Sequence, residues 1–190
     1  MGELEPNIFI NGDRIDLVPI DFAHLDLYTK WENYPKVRKL SRNILPRTKE
    51  EYKKYLESLQ KDLPDELTFE IFLKTEKLPI GICELSEIDW INQVSFVGIL
   101  IGEIAYWGQN FCTETIKLLC KYAFEELNLH KLKYVAFSSN MASLRCAEKA
   151  GFSLEATLKK EIYIDGQYYN SIFYTLFSDD WVDSNRNLLI

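Results

Sequence analysis

Histidine is scarce in this sequence: His24 and His130 are the only two in 190 residues. Neither stands at metal-ligand spacing from the four cysteines, Cys83, Cys112, Cys120 and Cys146, and the cysteines form no CxxC pair. No metal site and no disulfide framework are expected. Three of the thiols fall in apolar runs or periodic helices, where cysteine behaves as a small buried hydrophobe, so the set reads as reduced. Apolar runs approaching the ~20 residues of a membrane helix are missing too. The start, MGELEPNIF, is acidic, lacks the layout of a secretory signal, and has no hydroxyl residue where myristoylation favours one. The expectation is a cytoplasmic chain without a membrane partner. Positive charge is also in short supply, 22 Lys and Arg against 29 Asp and Glu, for a net charge of -7. Direct nucleic-acid binding is therefore not expected. The acidic balance either favours a cationic partner or serves solubility. Repeats, low-complexity tracts and linkers are absent, and the length suits one domain, 1–190.

The remaining pattern is regular. RIDLVPID (14–21) alternates like a strand, and DFAHLDLYTKW follows with a helical face at Leu25, Tyr28 and Trp31. Thr48 and Glu51 form a capping-box pair ahead of a helix that carries Tyr52, Tyr55, Leu56 and Leu59 on one face. The stretch between these helices, NYPKVRKLSRNILP, reads as irregular. From residue 68 the period shortens: TFEIFLK, PIGICELSEID and QVSFVGILIGE read as an antiparallel meander. Ile116, Leu119, Cys120, Ala123, Phe124 and Leu127 then recur at helical spacing. KLKYVAFS (131–138) reads as a strand, and ASLRCAEKAG as a short helix closed by Gly151. Strands near 152–164 and 168–177 join through an Asp-Gly turn. The order β-α-α-β-β-β-α-β-α-β-β implies a mixed sheet in an α+β fold.

Glycine is sparse where it would be most useful. YWGQNFCTE (106–114) stands before the longest periodic helix and contains a single glycine. On its own it is either the ordinary start of a helix or an anion site built from free amides.

The run GILIGEIAYWGQNFCTETIKLLCKYAFEELNLHKLKYVAFSSNMASLRCAEKAGF resembles the core of the GNAT acetyltransferases. It is most similar to the branch containing protein N-terminal and ribosomal-protein, polyamine and amino-sugar acetyltransferases. WGQNFCTE, NLHKL, NMAS and EKAGF carry the resemblance as an ordered set, which extends from about residue 14 to Trp181. The resemblance implies a GNAT-like fold: a twisted, mostly antiparallel mixed sheet flanked by helices, with its fourth and fifth strands splayed. It implies acetyl-CoA as co-substrate, its pyrophosphate held by the loop Trp107, Gly108, Gln109, Asn110, Phe111 and Cys112, with Thr113 following. Asn110 and Cys112 stand where the family usually has glycine or alanine, and Asn tolerates positive φ. Leu100, Ile101 and Gly102 match the strand that meets the pantetheine arm, where Gly102 suits a close approach, and Asn140 matches a pantetheine contact or simply a helix cap.

For chemistry, the family's usual tyrosine acid is replaced by Ala147, which leaves Ser143 as a proton donor or as a first-turn serine. Glu103 is the leading candidate base, close to the expected thioester; Glu84 and Glu87 are rivals for that role or bind a cationic substrate. Tyr168, with Tyr163 and Tyr169, either lines the acceptor site or packs across strands. The function implied is direct acetyl transfer in a ternary complex to a primary amine of a protein N-terminus or a polyamine. An amino-sugar acetyltransferase and a non-enzymatic CoA-binding or regulatory module remain open alternatives, and a homodimer is plausible.

Overall fold

The computed structural model describes residues 6–186, so the reading of Met1–Glu5 lies outside the described residues. Eight strands form one sheet in the order β1-β2-β3-β4-β5-β6-β8-β7. β1 (Ile10–Asn11), β2 (Ile15–Pro19), β3 (Leu67–Leu73), β4 (Leu78–Asp89) and β5 (Val94–Ile101) make an antiparallel meander. β6 (Lys131–Phe137) runs parallel to β5, and β8 (Gln167–Phe177) lies antiparallel between β6 and the edge strand β7 (Ser153–Ile164). The expected fourth and fifth strands are thus β5 and β6, because the two-residue β1 precedes them.

Helices cover both faces. α4 (Phe111–Glu125) buries Ile116, Leu119, Cys120 and Ala123 completely against one face, whose core includes Leu17, Ile71, Cys83, Leu85 and Val97. Ile82 of β4 and Leu100 of β5 point the other way. There α1 (Leu25–Asn33) and α3 (Lys49–Ser58) bury Leu25, Tyr28, Trp31, Tyr52 and Leu56 against Ile82 and Leu100. Thr48 caps α3 in the expected reciprocal box with Glu51, which satisfies two otherwise unpaired amides. The β7–β8 turn places Asp165 and Gly166 at φ 49° and 82°, the mirror-image turn the Asp-Gly pair predicts.

Two helices depart from the sequence reading. Pro35–Ser41 is α2, not irregular chain: Pro35 occupies the first turn, where its missing N–H costs nothing, and Arg42 ends the helix in the left-handed region at φ 59°. Ser178–Arg186 forms α6 beyond β8. α5 (Met141–Lys149) closes with Gly151 at φ 102°, as expected for a glycine just past a helix end.

The sheet holds one discontinuity that matters for function. β5 and β6 pair only at Val94–Lys131, Ser95–Leu132 and Phe96–Lys133. Beyond these the strands part, while β6 remains paired with β8 through Phe137 and β5 with β4 through Ile101. A wedge opens in the middle of the sheet, floored by neither strand's ladder.

Candidate active site

Two cavities meet at the wedge. The first, about 340 Å3, runs from the splayed strands to the start of α4 and is walled by α2, β5, the loop at 106–112 and α5. The second, about 540 Å3, lies on the α1–α3 side and is lined by Glu32, Arg42, Asn43, Arg47, Glu84 and Gly98. Ile99, Leu100, Tyr134, Asn140 and Ser143 line both, as do Leu40 and Ser41 of α2. A molecule threaded through the first cavity would therefore present its end to whatever occupies the second.

The loop at 106–112 is shaped for an anion. Gly108 and Asn110 both take positive φ, 76° and 65°, so the asparagine adopts the backbone expected of a glycine substitute. No side chain caps α4. Its first-turn amides face the cavity wall formed by Asn110, Phe111 and Cys112, where a helix N-terminus favours negative charge. Arg145 and Lys149 of α5 line the same end of the cavity, and Lys149 Nζ donates to Asn110 Oδ1 at 3.1 Å. Sequence reasoning missed both cations, although their spacing of four residues places them on one helical face. Trp107 Nε1 donates to Ile101 O at 2.8 Å and pins the loop to β5, while the Gln109 side chain turns back to Ala105 O at 2.9 Å. Arg14 braces the outside, with Nε 2.8 Å from Glu114 Oε2 and its Nη1 3.0 Å from Gln109 O.

The residues expected along the arm divide by parity. Gly102 N donates to Ile80 O at 2.9 Å, so it faces β4 rather than the gap. Alternation along an antiparallel ladder then turns the main-chain groups of Val97, Ile99 and Ile101 toward the gap. Of these, Ile101 O is taken by Trp107. Leu100 contributes its side chain to the shared wall, not its backbone. Gly102 has a different reason to lack a side chain: a Cβ there would lie 2.1 Å from the Trp31 indole. That corrects the expected close approach of a ligand, since the approaching group is an aromatic ring of α1. Gln109 and Thr113 are likewise outside the cavity lining, whereas Leu100, Ile101, Trp107, Gly108, Asn110, Phe111, Cys112, Asn140 and Ser143 are part of it. Asn140 also caps α5, its Oδ1 accepting from Ser143 N at 3.3 Å.

The titratable groups rearrange the expected chemistry. Glu103 lies just past β5 with Oε1 2.8 Å from both Lys30 Nζ and Trp31 Nε1. These two donors hold its pKa below the ordinary carboxylate range, and it lines neither cavity. A carboxylate so engaged is a poor base, and its turn toward α1 takes it away from the wedge. Glu87 sits exposed at φ 50° in the β4 bulge, and Tyr168 is 63% exposed at the hairpin tip, its ring tilted 54° against Tyr163 with ring centres 5.0 Å apart. Neither lines a cavity.

Glu84 is different. It stands on β4 opposite Gly98 and lines the second cavity. Burial first, then the charges of Glu66 and Glu32, push its carboxyl up to about 7. Glu32 is raised too, chiefly by burial, with Arg47 acting against the shift. Tyr52 and Tyr55 of α3 lie near these carboxylates, and Tyr55 donates to Glu66.

A hydroxyl pair shares the second cavity with Glu84. Tyr134 of β6 and Ser143 of α5 share a hydrogen bond of 2.8 Å, and both line the two cavities. Burial raises the tyrosine pKa well above the usual phenol value, so Tyr134 stays protonated and able to donate. Alternation within KLKYVAF marks Tyr134 only as an inward strand residue, which is why sequence reasoning passed over it. The remaining candidates are structural: His24 Nδ1 lies 2.7 Å from buried Glu70, and His130 packs on Phe177.

Comparison with known proteins agrees with this geometry. A sequence profile of the acetyltransferase (GNAT) domain matches residues 14–153. A probable N-acetyltransferase of Bacillus subtilis, YjcK, is 32% identical over 127 residues, 66% of this chain and 68% of that protein. The spermidine N(1)-acetyltransferase of Escherichia coli K12 is 32% identical over 106 residues, 56% of each chain, so the shared stretch spans little more than half of that relative. The crystal structure of spermidine N-acetyltransferase from Vibrio cholerae in complex with CoA and spermine superposes with a TM-score of 0.81 at 22% identity, covering 89% of this chain and 98% of that one. No described helix is long and apolar enough to cross a membrane, and no described cluster of His, Cys, Asp or Glu could hold a metal ion.

Proposed function

The chain belongs to the GNAT acetyltransferase family, and from that premise we propose that it transfers an acetyl group from acetyl-CoA to a primary amine of a small polycation of the polyamine class. The first cavity suits the co-substrate. Uncapped amides with Arg145 and Lys149 match the pyrophosphate, and the unpaired main chain of Val97 and Ile99 matches an amide-bearing arm. CoA supplies the activated thioester; the chain's own residues position the amine and move two protons.

The observation that carries the reading is the buried carboxyl of Glu84 in the second cavity, which also holds Glu32, Arg42 and Arg47 and opens onto the wedge at Tyr134 and Ser143. The charged neighbours bearing on Glu84 are Glu66 and Glu32, so the field at its carboxylate favours an incoming ammonium. Glu84 then serves as general base. With its pKa near 7, the gap to an alkylammonium narrows from about 6 units to about 3. As the C–N bond forms and the C–S bond breaks, Tyr134 gives its proton to the departing sulfur and Ser143 holds the hydroxyl in place. This assigns the acid role to Tyr134, with Ser143 as its positioning partner.

Relatives named as spermidine acetyltransferases lend support to the acceptor class. The test is acetyl transfer to spermidine, spermine, an N-terminal peptide and a glucosamine-type amino sugar, with products identified by mass. Monoacetylated polyamine as the preferred product supports the proposal. Preferential acetylation of the peptide or the sugar would overturn the acceptor assignment while leaving the family intact.

A further inference from the structure

Arg14 and Glu114 stand 100 residues apart in sequence and meet behind the anion loop. Arg14 leads into β2, and Glu114 lies in the first turn of α4. The contact is two-pronged: Nε and Nη2 of Arg14 each lie 2.8 Å from Glu114 Oε2. Glu114 Oε1 accepts from the main-chain N–H groups of Arg14 at 2.8 Å and Ile15 at 3.3 Å. The remaining guanidinium nitrogen, Nη1, donates to Gln109 O at 3.0 Å, and the guanidinium sits over the Phe111 ring, 4.3 Å from its centre. Arg14 O in turn accepts from Lys74 N at 3.1 Å, which ties the residue to the end of β3. Gln109 and Phe111 belong to the anion loop, yet neither Arg14 nor Glu114 lines the cofactor cavity.

The consequence is electrostatic. A carboxylate in the first turn of a helix is drawn to the same free amides that would bind a phosphate, and its charge repels one. Glu114 occupies such a position, but no side chain caps α4, and both carboxylate oxygens bond to Arg14 and the start of β2 instead. Its side chain is only 17% exposed, so solvent screens this charge less than it would on an open surface. The guanidinium of Arg14 offsets it at the contact.

We propose that Arg14 is a positioning residue for the co-substrate, neutralising Glu114 and holding it off the uncapped α4 amides so that the loop receives the pyrophosphate. The inference rests on the reading of the first cavity as the CoA site. It assigns control of co-substrate affinity to a residue outside that cavity.

The experiment uses the 190-residue chain. It measures CoA affinity by calorimetry, and turnover of acetyl-CoA and of S-acetylpantetheine, a thioester without the pyrophosphate, with the preferred acceptor. Arg14→Gln keeps a donor but loses the charge. It should weaken CoA binding about tenfold and raise KM for acetyl-CoA, with kcat near the parent value. The kcat/KM for S-acetylpantetheine should not change. Arg14→Lys, which keeps the charge, should retain most of the affinity. Glu114→Gln added to Arg14→Gln should recover it, because no carboxylate is left to offset. Arg14→Met, whose stem still covers the Phe111 ring, serves the same comparisons if the glutamine variant does not fold. Parent-like CoA binding in Arg14→Gln overturns the proposal. So does an equal loss with S-acetylpantetheine, which marks a general structural defect, and so does a double variant as weak as the single one. A parent protein that binds no CoA would instead overturn the cofactor assignment, and this inference with it.

Discussion

The Glu84 carboxylate occupies the space above Gly98: a Cβ on residue 98 would sit 2.6 Å from Glu84 Oε1 and 2.7 Å from its Cγ. The two residues face each other across the β4–β5 ladder, so the missing side chain of one is the berth of the other. Gly98→Ala should displace the carboxylate without touching it chemically. The expected result is a fall of about 10-fold or more in kcat/KM for the acceptor, with CoA affinity unchanged.

Glu84→Gln should reduce kcat/KM by about 10²–10⁴-fold, the range for loss of a general base. In the parent enzyme the profile should rise with pH through about 7 and level off above it, because only the ionised carboxylate accepts a proton. The variant should lack that rising limb. A retained limb would assign the ionisation to another group.

The same substitution should stabilise the fold. The folded-state pKa of Glu84 lies above its unfolded value, so protonation favours the folded state below about 4.5. That advantage disappears as pH rises through about 7. Near pH 8 the ionised, half-buried carboxylate costs on the order of 3 kcal/mol, which glutamine avoids. Glu84→Gln should therefore raise Tm at about pH 8 and change it little near pH 4.5, as measured by calorimetry.

Tyr134→Phe should lower kcat by about 10²-fold while leaving KM for acetyl-CoA near its parent value, since only the departing sulfur loses a donor. Ser143→Ala should have a smaller effect, because it removes the partner and not the proton. Equal losses for the two would make Ser143 the donor.

Glu103→Gln should leave turnover unchanged, the carboxylate being occupied by Lys30 and Trp31 outside the cavities. Gly102→Ala should act on stability instead. Its Cβ meets the buried Trp31 ring, so overpacking of about 1–3 kcal/mol is expected in chemical denaturation.

These two neighbours, Gly102 and Glu103, show where the sequence ceased to be informative. Periodicity is a local property and located α4, the meander and the final hairpin, because the apolar face of each is written in a few consecutive residues. The resemblance located the anion loop and Asn140 for a related reason, since both are set by backbone order. Glu103 and Glu84 differ in nothing a sequence displays. One accepts hydrogen bonds from Lys30 and Trp31, more than seventy residues away, and the other is buried with the charges of Glu66 and Glu32 bearing on it. Tyr134 and α2 were missed by the same limitation. A single inward position on β6 carries no mark of its partner on α5, and seven residues led by proline give too short a pattern to count as a helix.

Three paired residues join β5 to β6, and past them the meander and the C-terminal strands run on as separate banks of one sheet. An occupant lying between the banks and bonding to the exposed edge of β5 acts as a splint in place of the missing strand pairs. Occupancy should therefore slow amide hydrogen exchange on both banks at once, far from any atom the ligand touches.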